Sequence, residues 1–251
     1  MVRSDLMGKR IIARARGKGG PRYRAPSHRY LGRVEYLPVT GITSPVTGTI
    51  VDIAHDPGRN APVAIVKFDD GREIFHIAPE GIMVGDKVTY FGSPDIGNVL
   101  PIGKIPEGTK IFAIETYPGS GPKLCRSSGS FAIVVGKKKD KVTVRLSSGK
   151  TKELDARCLA SIGVPAGAGR KEKPFVKAGA KFYAMMARGK LYPITKGVAM
   201  NPVDHPFGGK TKPGIPKSVS RHAPPGRKVG SISPRSCLLY TSDAADEGLG
   251  V

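Results

Sequence analysis

The sequence contains few aromatic and apolar residues for its length. It has no tryptophan among 251 residues, 6% aromatic residues and 39% hydrophobic residues. A single compact enzyme of this size usually carries more apolar residues. We therefore expect a small buried core with much of the chain outside it.

Long apolar runs and paired cysteines are also lacking. No run approaches the ~20 apolar residues of a membrane span, and no apolar segment follows the charged N-terminus, which argues against secretion. The three cysteines, Cys125, Cys158 and Cys237, are isolated. Their odd number and wide spacing argue against both a disulfide framework and a zinc site. These absences predict a soluble cytoplasmic protein with packed or free thiols and no membrane partner.

Glycine, proline and positive charge are abundant. The 33 Gly and 22 Pro favour turns and short strands over long helices. The formal net charge of +21 is unevenly distributed: +8 in residues 1–36, +3 in 37–163, +13 in 164–235 and −3 in 236–251. The balanced middle can fold by itself, whereas the basic flanks need a polyanion to neutralise them. Because the flanks interleave basic residues with Gly, Pro and aromatic residues, nucleic acid is favoured over a disordered solubilising tail.

The basic N-terminal arm, residues 1–36, shows no sustained helical period. Gly19, Gly20 and Pro21 would break a helix, so we expect extended chain. Arg alternates with Tyr or His between Arg22 and Tyr30. Guanidinium groups grip phosphates and rings stack on bases, so this pattern suits RNA.

Residues 37–163 contain short β-branched runs bounded by turn residues. Strands are predicted at 48–54, 62–68, 73–78, 87–91 and 110–117, then at 130–136, 141–147 and 150–155. About five strands fit an oligonucleotide-binding-type barrel at 37–108, and a second barrel-like block follows at 109–163. Residues 156–160 are interpreted as one helical turn.

The basic C-terminal extension, residues 164–235, contains one helical pattern at 174–188. Phe175, Ala178, Phe182, Met185 and Met186 lie near one face, which we expect to pack on the core, while Lys177 and Lys181 are exposed. Residues 189–235 are too long and too basic for an ordinary loop. These residues therefore need a binding partner to adopt a defined conformation.

Three segments have alternative interpretations. An acid–base dyad at Asp204 and His205 lacks a nearby nucleophile or carboxylate cluster, so a structural role is favoured. The loop Arg126–Ser130 is equally consistent with a phosphate clamp and with a polar loop. Lys137–Lys139 is interpreted as a solvated hairpin tip that can still touch RNA.

Several stretches together resemble the universal L-two family of large-subunit ribosomal proteins over about residues 7 to 235. They are RGKGGPRYRAPSHRY at 16–30, GNVLPIGKIPEGTKI at 97–111, PGSGPKLCRSSGSFA at 118–132, VTVRLSSGKTKEL at 142–154 and GVAMNPVDHPFGG at 197–209. Phe207 and residues 216–232 are similar to the archaeal and eukaryotic branch. Residues 236–251 depart from the pattern, and we interpret them as an atypical acidic tail of artefactual origin.

The resemblance implies a mainly β fold, an oligonucleotide-binding-type barrel followed by an SH3-like barrel, with long basic extensions. It implies a non-enzymatic structural constituent of the large ribosomal subunit that binds rRNA and supports subunit association and the architecture of the peptidyl-transferase region. The implied partners are large-subunit rRNA, other large-subunit proteins and the small subunit. No cofactor or metal is expected beyond Mg²⁺ or monovalent ions of the RNA. The candidate rRNA contacts are Arg10, Arg14, Arg16, Lys18, Arg22, Arg24, His28, Arg29, Arg126, Ser127, Lys177, Lys181, Asn201, Asp204, His205, Gly208, Gly209, Lys217 and Arg221.

Two other functions are considered. A free-standing module that coats single strands requires aromatic platforms on a strand face. Phe68, Phe75, Tyr90 and Phe91 occupy expected core positions, which disfavours it. A hydrolase built on Asp204 and His205 requires a nucleophile or metal that the sequence does not supply.

Overall fold

The computed structural model describes residues 12–38, 44–210 and 218–234. These residues form two compact units: residues 26–188, and residues 1–25 together with 189–251 as far as they are described. Arg10, Lys217 and the acidic tail lie outside the described residues. None of the described helices is long and apolar enough to cross a bilayer.

The 26–188 unit is built on one hydrogen-bonded network of ten strands. In chain order they are β1 Val46–Ala54, β2 Val63–Phe68, β3 Glu73–Ile77, β4 Lys87–Tyr90, β5 Val99–Pro101, β6 Lys110–Phe112, β7 Ala132–Lys137, β8 Lys141–Leu146, β9 Thr151–Asp155 and β10 Leu159–Ile162. Their order in the network is β3-β2-β1-β4-β5-β10-β6-β7-β8-β9. Bulges between Ile50 and Asp52 in β1 and between Val134 and Gly136 in β7 bend the two long strands.

Most predicted strands are confirmed within two residues of their predicted ends. The exceptions have physical causes. The run predicted at 110–117 stops at Phe112, because Ala113 has a φ of 51° and turns the chain. The helical turn predicted at 156–160 is wrong, since this region enters β10, and β5 was not predicted. All four residues of β10 are buried, so the strand lacks the alternation that identifies a half-exposed strand.

Strand β10 lies between two hydrophobic clusters. Leu159 packs with Ile50, Val66 and Tyr90 of the first strand set. Ala160 and Ile162 pack with the second set, which includes Ile111, Val134, Val142 and Val144. Because successive side chains of a strand point to opposite faces, one short strand completes both cores.

Residues 26–36, predicted as part of the arm, lie in this unit. Val34 forms a parallel bridge with Phe75 of β3, and Leu37 beyond it is buried. The Tyr36 hydroxyl lies 2.7 Å from Ser161 Oγ and donates to the Ala113 carbonyl at 2.8 Å. The segment therefore covers the outer edge of β3, which would otherwise expose unpaired backbone groups.

A buried polar pair lies beneath this segment. Tyr90 Oη accepts the Leu37 N–H at 3.4 Å and lies 2.8 Å from His76 Nε2. Burial lowers the pKa of His76 to about 4, so at neutral pH its ring is uncharged and is hydrogen-bonded to the Tyr90 hydroxyl. Tyr90 and Phe68 are buried, as predicted, and no strand-face platform is formed by them.

Five 3-10 turns, two helices and two short strands make up the remaining regular structure of the described residues. In the 26–188 unit the turns are Ser27–Arg29, Ile102–Lys104 and Ala168–Lys171, and helix α2 spans Ala178–Met186. The second unit contains helix α1 Ile12–Gly17, 3-10 turns at Pro21–Tyr23 and Gly197–Ala199, and a parallel pair of β11 Ser218–Val219 with β12 Ser231–Ile232.

Two predictions for the flanks are corrected. The arm was expected to be extended, but residues 12–17 form α1, which stops just before Gly19 at a φ of 64°. The Gly-Gly-Pro stretch thus ends a helix instead of preventing one. The apolar face of the predicted C-terminal helix was expected to pack on the core, yet α2 contains no buried residue. The free thiols of Cys125 and Cys158 agree with the sequence, and burial raises the pKa of Cys158 to about 11.

We predict that replacing His76 by Gln flattens the pH dependence of stability. Above pH 6.5 the imidazole is neutral whether the chain is folded or unfolded. Between about pH 6.5 and 4 only the unfolded chain takes up the proton. The free energy of unfolding therefore falls as pH falls, by about 1.4 kcal/mol per pH unit and on the order of 3 kcal/mol in all.

Denaturant unfolding of the full chain at pH 7, 6 and 5 measures this difference. The exposed His55 provides the matched control, and His55→Gln should retain the parent slope. Equal slopes in the parent protein and the His76→Gln variant would contradict a neutral buried imidazole.

Candidate nucleic-acid interface

The loop that follows β6 borders an open groove of about 760 Å³ in the 26–188 unit. Four cations and several hydroxyl and amide groups line it, from four separate segments: Arg59 and Asn60; Lys123, Arg126, Ser127 and Ser130; Ser147 and Ser148; and Arg188. We call this surface the cationic groove. Of the predicted contacts, it contains Arg126 and Ser127.

The backbone holds this loop in a defined shape. Ile114 pairs with Leu124, and the Ala113 N–H donates to the Cys125 carbonyl at 3.1 Å. Cys125 has a φ of 52°, in the left-handed region, which turns the chain directly before Arg126. The Ser130 hydroxyl donates to the Ser127 carbonyl at 2.6 Å and closes the next turn. The exposed side chains of Arg126 and Ser127 are therefore displayed from a fixed backbone.

Arg59 is held in place by a buried carboxylate. Its guanidinium forms an ion pair with Asp56, which is fully buried, and donates to the Gly32 carbonyl at 2.6 Å. Asp56 also accepts the Gly58 N–H at 2.9 Å. Much of the Arg59 charge is thereby balanced, so the other three cations dominate the potential of the groove.

Arg188 has no such counterion among the groove residues. It donates to Asn60 Oδ1, and its pKa is lowered, first by partial burial and then by the nearby positive charge of Arg170. None of the described residues that line the groove is acidic. An anion such as a phosphate would relieve the repulsion between the two guanidinium groups.

The predicted contacts of the arm are exposed but are divided between the units. Arg16, Lys18, Arg22 and Arg24 are exposed in the unit that contains α1. His28 and Arg29 are exposed in the 26–188 unit, at the 3-10 turn Ser27–Arg29. Arg14 lies in α1, and Arg10 is outside the described residues.

The predicted turn at Asn201–Gly209 is closed by backbone hydrogen bonds. The Asn201 carbonyl accepts from the N–H groups of Asp204 at 3.0 Å and His205 at 3.2 Å, and the Gly209 N–H donates to Met200 at 3.1 Å. A Cβ on Gly208 would lie 2.3 Å from the Asn201 oxygen. Only glycine fits there, which accounts for the Gly-Gly pair after Phe207.

The His205 ring is fixed within this turn. Its Nδ1 accepts the Phe207 N–H at 3.1 Å, and its ring lies against Gly197, where a Cβ would approach within 2.4 Å. Nδ1 therefore has no proton to donate to Asp204, and the Nε2 position carries it. Asp204, His205 and Arg227 line one shallow cavity. A rigid turn that presents an imidazole beside Arg227 suits an RNA contact better than acid–base catalysis.

The remaining predicted contacts occupy the extension. Lys177 is exposed at the start of α2, and Lys181 is half-buried within it. Arg221 is exposed after β11, whereas Lys217 lies outside the described residues.

Sequence analysis missed Arg59, Lys123, Arg188 and Arg227. The first three come together in the groove only when the strands pair, because 129 positions separate Arg59 from Arg188 along the chain. Lys123 lies three residues before Arg126 in the stretch at 118–132 that carries the family resemblance. This proximity to a predicted contact was the signal that could have identified it.

Comparisons with known proteins place both halves of the chain in one family. Residues 10–90 match the family model "Ribosomal Proteins L2, RNA binding N-terminal domain", and residues 95–229 match "Ribosomal Proteins L2, C-terminal domain". The chain is 51% identical over 235 residues to large ribosomal subunit protein uL2 of Methanothermobacter thermautotrophicus, covering 91% of this chain and 98% of the relative. It is 50% identical to those of Methanopyrus kandleri, with 91% and 97% covered, and Halorubrum lacusprofundi, with 90% and 96% covered.

We predict that Gly208→Ala opens the Asn201–Gly209 turn. The added Cβ overlaps the Asn201 carbonyl, so the backbone must move and the Phe207 hydrogen bond to His205 is lost. Amide exchange at Phe207 and Gly209 should accelerate roughly tenfold or more, and the ¹⁵N shifts of His205 should lose the Nε2–H tautomer signature.

Gly179→Ala serves as the matched control, because open space surrounds that position in α2. It should leave the turn unchanged. Retention of the His205 tautomer in Gly208→Ala would refute this description of the turn.

Proposed function

Because this chain belongs to the ribosomal protein L2 family in its archaeal-type branch, we propose that it is a structural component of the large ribosomal subunit that binds rRNA. The observation that carries the proposal is the cationic groove within a chain whose two halves match the family models. Membership of this family also supports the predicted fold, an oligonucleotide-binding-type barrel followed by an SH3-like barrel, and a non-enzymatic role.

The groove supports recognition of the RNA backbone. Arg126, Lys123 and Arg188 supply charge, and the exposed Ser127 lines the same groove. Arginine forks match two phosphate oxygens at once, and serine hydroxyl and backbone groups add directional hydrogen bonds. Such contacts fix the position of a protein on folded RNA without reading its sequence directly.

The basic flanks extend this binding mode beyond the barrels. Residues 164–235 carry 15 basic and 2 acidic residues, and residues 1–36 carry 10 and 2. Each phosphate contact releases condensed counterions, so a large part of the binding free energy depends on salt concentration. The proposed partners are large-subunit rRNA and neighbouring large-subunit proteins, within cytoplasmic ribosomes.

We further propose that the chain contacts the small subunit, supports subunit association and shapes the peptidyl-transferase region. The resemblance to the family supports this finer role, because it implies that the turn at Asn201–Gly209 is directed toward that region. The residues of this turn would then contact and position RNA, and the RNA would catalyse the reaction. The residues concerned are Asn201, Asp204, His205, Gly208 and Gly209.

Salt-dependent binding tests the main proposal. Affinity of the full chain for large-subunit rRNA fragments should fall steeply between about 50 and 200 mM salt. Arg126→Ala should reduce the slope of log K against log salt by about 0.7 to 0.9, the value expected for one lost phosphate contact.

Arg72→Ala is the matched control, because Arg72 is exposed at the β2–β3 hairpin but paired with Asp70. Its slope should equal that of the parent chain. Affinity that does not change with salt, or an equal loss of slope in both variants, would rule out the groove as the phosphate site.

Omission of the protein tests the finer role. Large subunits reconstituted without this chain should associate with small subunits more weakly than complete particles do, as measured by light scattering at several Mg²⁺ concentrations. Addition of the purified chain during reconstitution should restore association. Undiminished association without it would contradict a role in subunit joining.

A further inference from the structure

Helix α2 exposes the apolar side chains that a short helix normally buries. Phe182, Tyr183 and Met186 are 43%, 70% and 56% exposed, and Phe175 and Val176 precede them on the surface. The two rings contact each other edge to face, with centroids 5.5 Å apart and an interplanar angle of 80°. Part of each ring therefore faces solvent. Exposed aromatic groups of this size mark an interaction surface.

The barrel holds this helix at its C-terminal end. The Tyr30 hydroxyl donates to the Ala187 carbonyl at 2.9 Å, and Arg188 donates to Asn60. The Tyr30 ring lies against Gly58, where a Cβ would come within 2.8 Å of it. A nine-residue helix is only marginally stable in isolation, so these contacts fix the helix and the positions of the Phe182 and Tyr183 rings. Gly58, Asn60 and Arg188 also line the cationic groove, which places the end of α2 at its rim.

The charge around the rings determines which partner fits. Residues 173–188 contain Lys173, Lys177, Lys181 and Arg188, and no acidic residue occurs between Glu172 and Asp204. A partner must therefore offer flat apolar faces together with negative charge. An unpaired segment of RNA has both, since its bases expose π-faces and its backbone carries phosphates. A paired duplex hides its base faces, and an apolar protein surface leaves the cations unneutralised.

We propose that α2 is a base-stacking platform: Tyr183, supported edge to face by Phe182, stacks on an unpaired base of an rRNA segment whose phosphates lie in the cationic groove. The inference rests on the proposed function and adds a contact of a different kind. The groove and the flanks bind phosphates, whereas the platform selects RNA that presents an unstacked base next to a phosphate turn. Stacking is tolerant of base identity, so this selection is for structure.

The absence of tryptophan from the chain permits a direct test. Tyr183→Trp introduces a single indole on the platform. Met83→Trp introduces one at a site of similar exposure, 68% against 70%, beside the carboxylate of Asp86. Both full-length variants are titrated with a large-subunit rRNA fragment that contains unpaired purines and with a duplex of equal length. Vesicles containing anionic phosphatidylglycerol provide a third probe.

We expect the Tyr183→Trp fluorescence to be quenched by the fragment and not by the duplex, and the Met83→Trp fluorescence to remain constant. Binding of the fragment without quenching would overturn the platform and leave the proposed function intact. A blue shift without quenching, with RNA or only with vesicles, would also overturn it, because the helix would then enter an apolar environment. Failure of both variants and the parent chain to bind rRNA would overturn the proposed function and this inference with it.

Affinity measurements separate stacking from charge. Tyr183→Ala should weaken binding of the unpaired fragment roughly tenfold with an unchanged salt slope, because the ring carries no charge. Tyr183→Phe should retain affinity, since it keeps the ring. Loss of affinity in Tyr183→Phe equal to that in Tyr183→Ala would contradict stacking and assign the contact to the hydroxyl group.

Discussion

The buried carboxylate of Glu115 connects the parts of the 26–188 unit on which the groove depends. It accepts the N–H of Leu159, at the start of β10, at 2.9 Å, and the N–H groups of Gly121 and Gly119 at 2.9 and 3.3 Å. One side chain thus fastens the central strand to the loop that leads into Lys123 and Arg126. Leu159 is buried, so its N–H left without an acceptor would cost about 1–3 kcal/mol, and this holds the loop against β10.

The hydrophobic core and the charged groove residues occupy different parts of this unit. Strand β10 completes both hydrophobic clusters, and the cations lie outside them on loops and on the end of α2. Asp56 lies buried behind the groove and is paired with Arg59, so it does not cancel the positive potential of the other three cations. Because the charges lie on the surface of a rigid barrel, a polyanion can bind to them without any rearrangement of the core.

Most strands were predictable because half-exposed strands alternate and glycine-rich turns separate them, as at Asp69–Gly71 and Ser147–Gly149. Strand β10 was not, because burial on both faces removes the alternation. For α2 the helix was predicted correctly, but its packing on the core was not. Its apolar residues have helical spacing, and spacing alone does not distinguish a face that packs on a core from a face that stays exposed. The turn at Asn201–Gly209 was identified from its motif. The packing of His205 on Gly197 was not predictable, because it depends on how the chain folds back on itself.

The basic flanks, the mainly β core and the family resemblance were predictable without a structure, because charge, turn residues and motifs are local properties of the chain. Which cations act together depends on the fold. Arg59, the pair Lys123 and Arg126, and Arg188 come from three distant segments, which strand pairing and the Tyr30 and Asn60 contacts bring to one surface. A binding surface of this kind depends on distances in space, and these are fixed by packing between segments that share no local pattern.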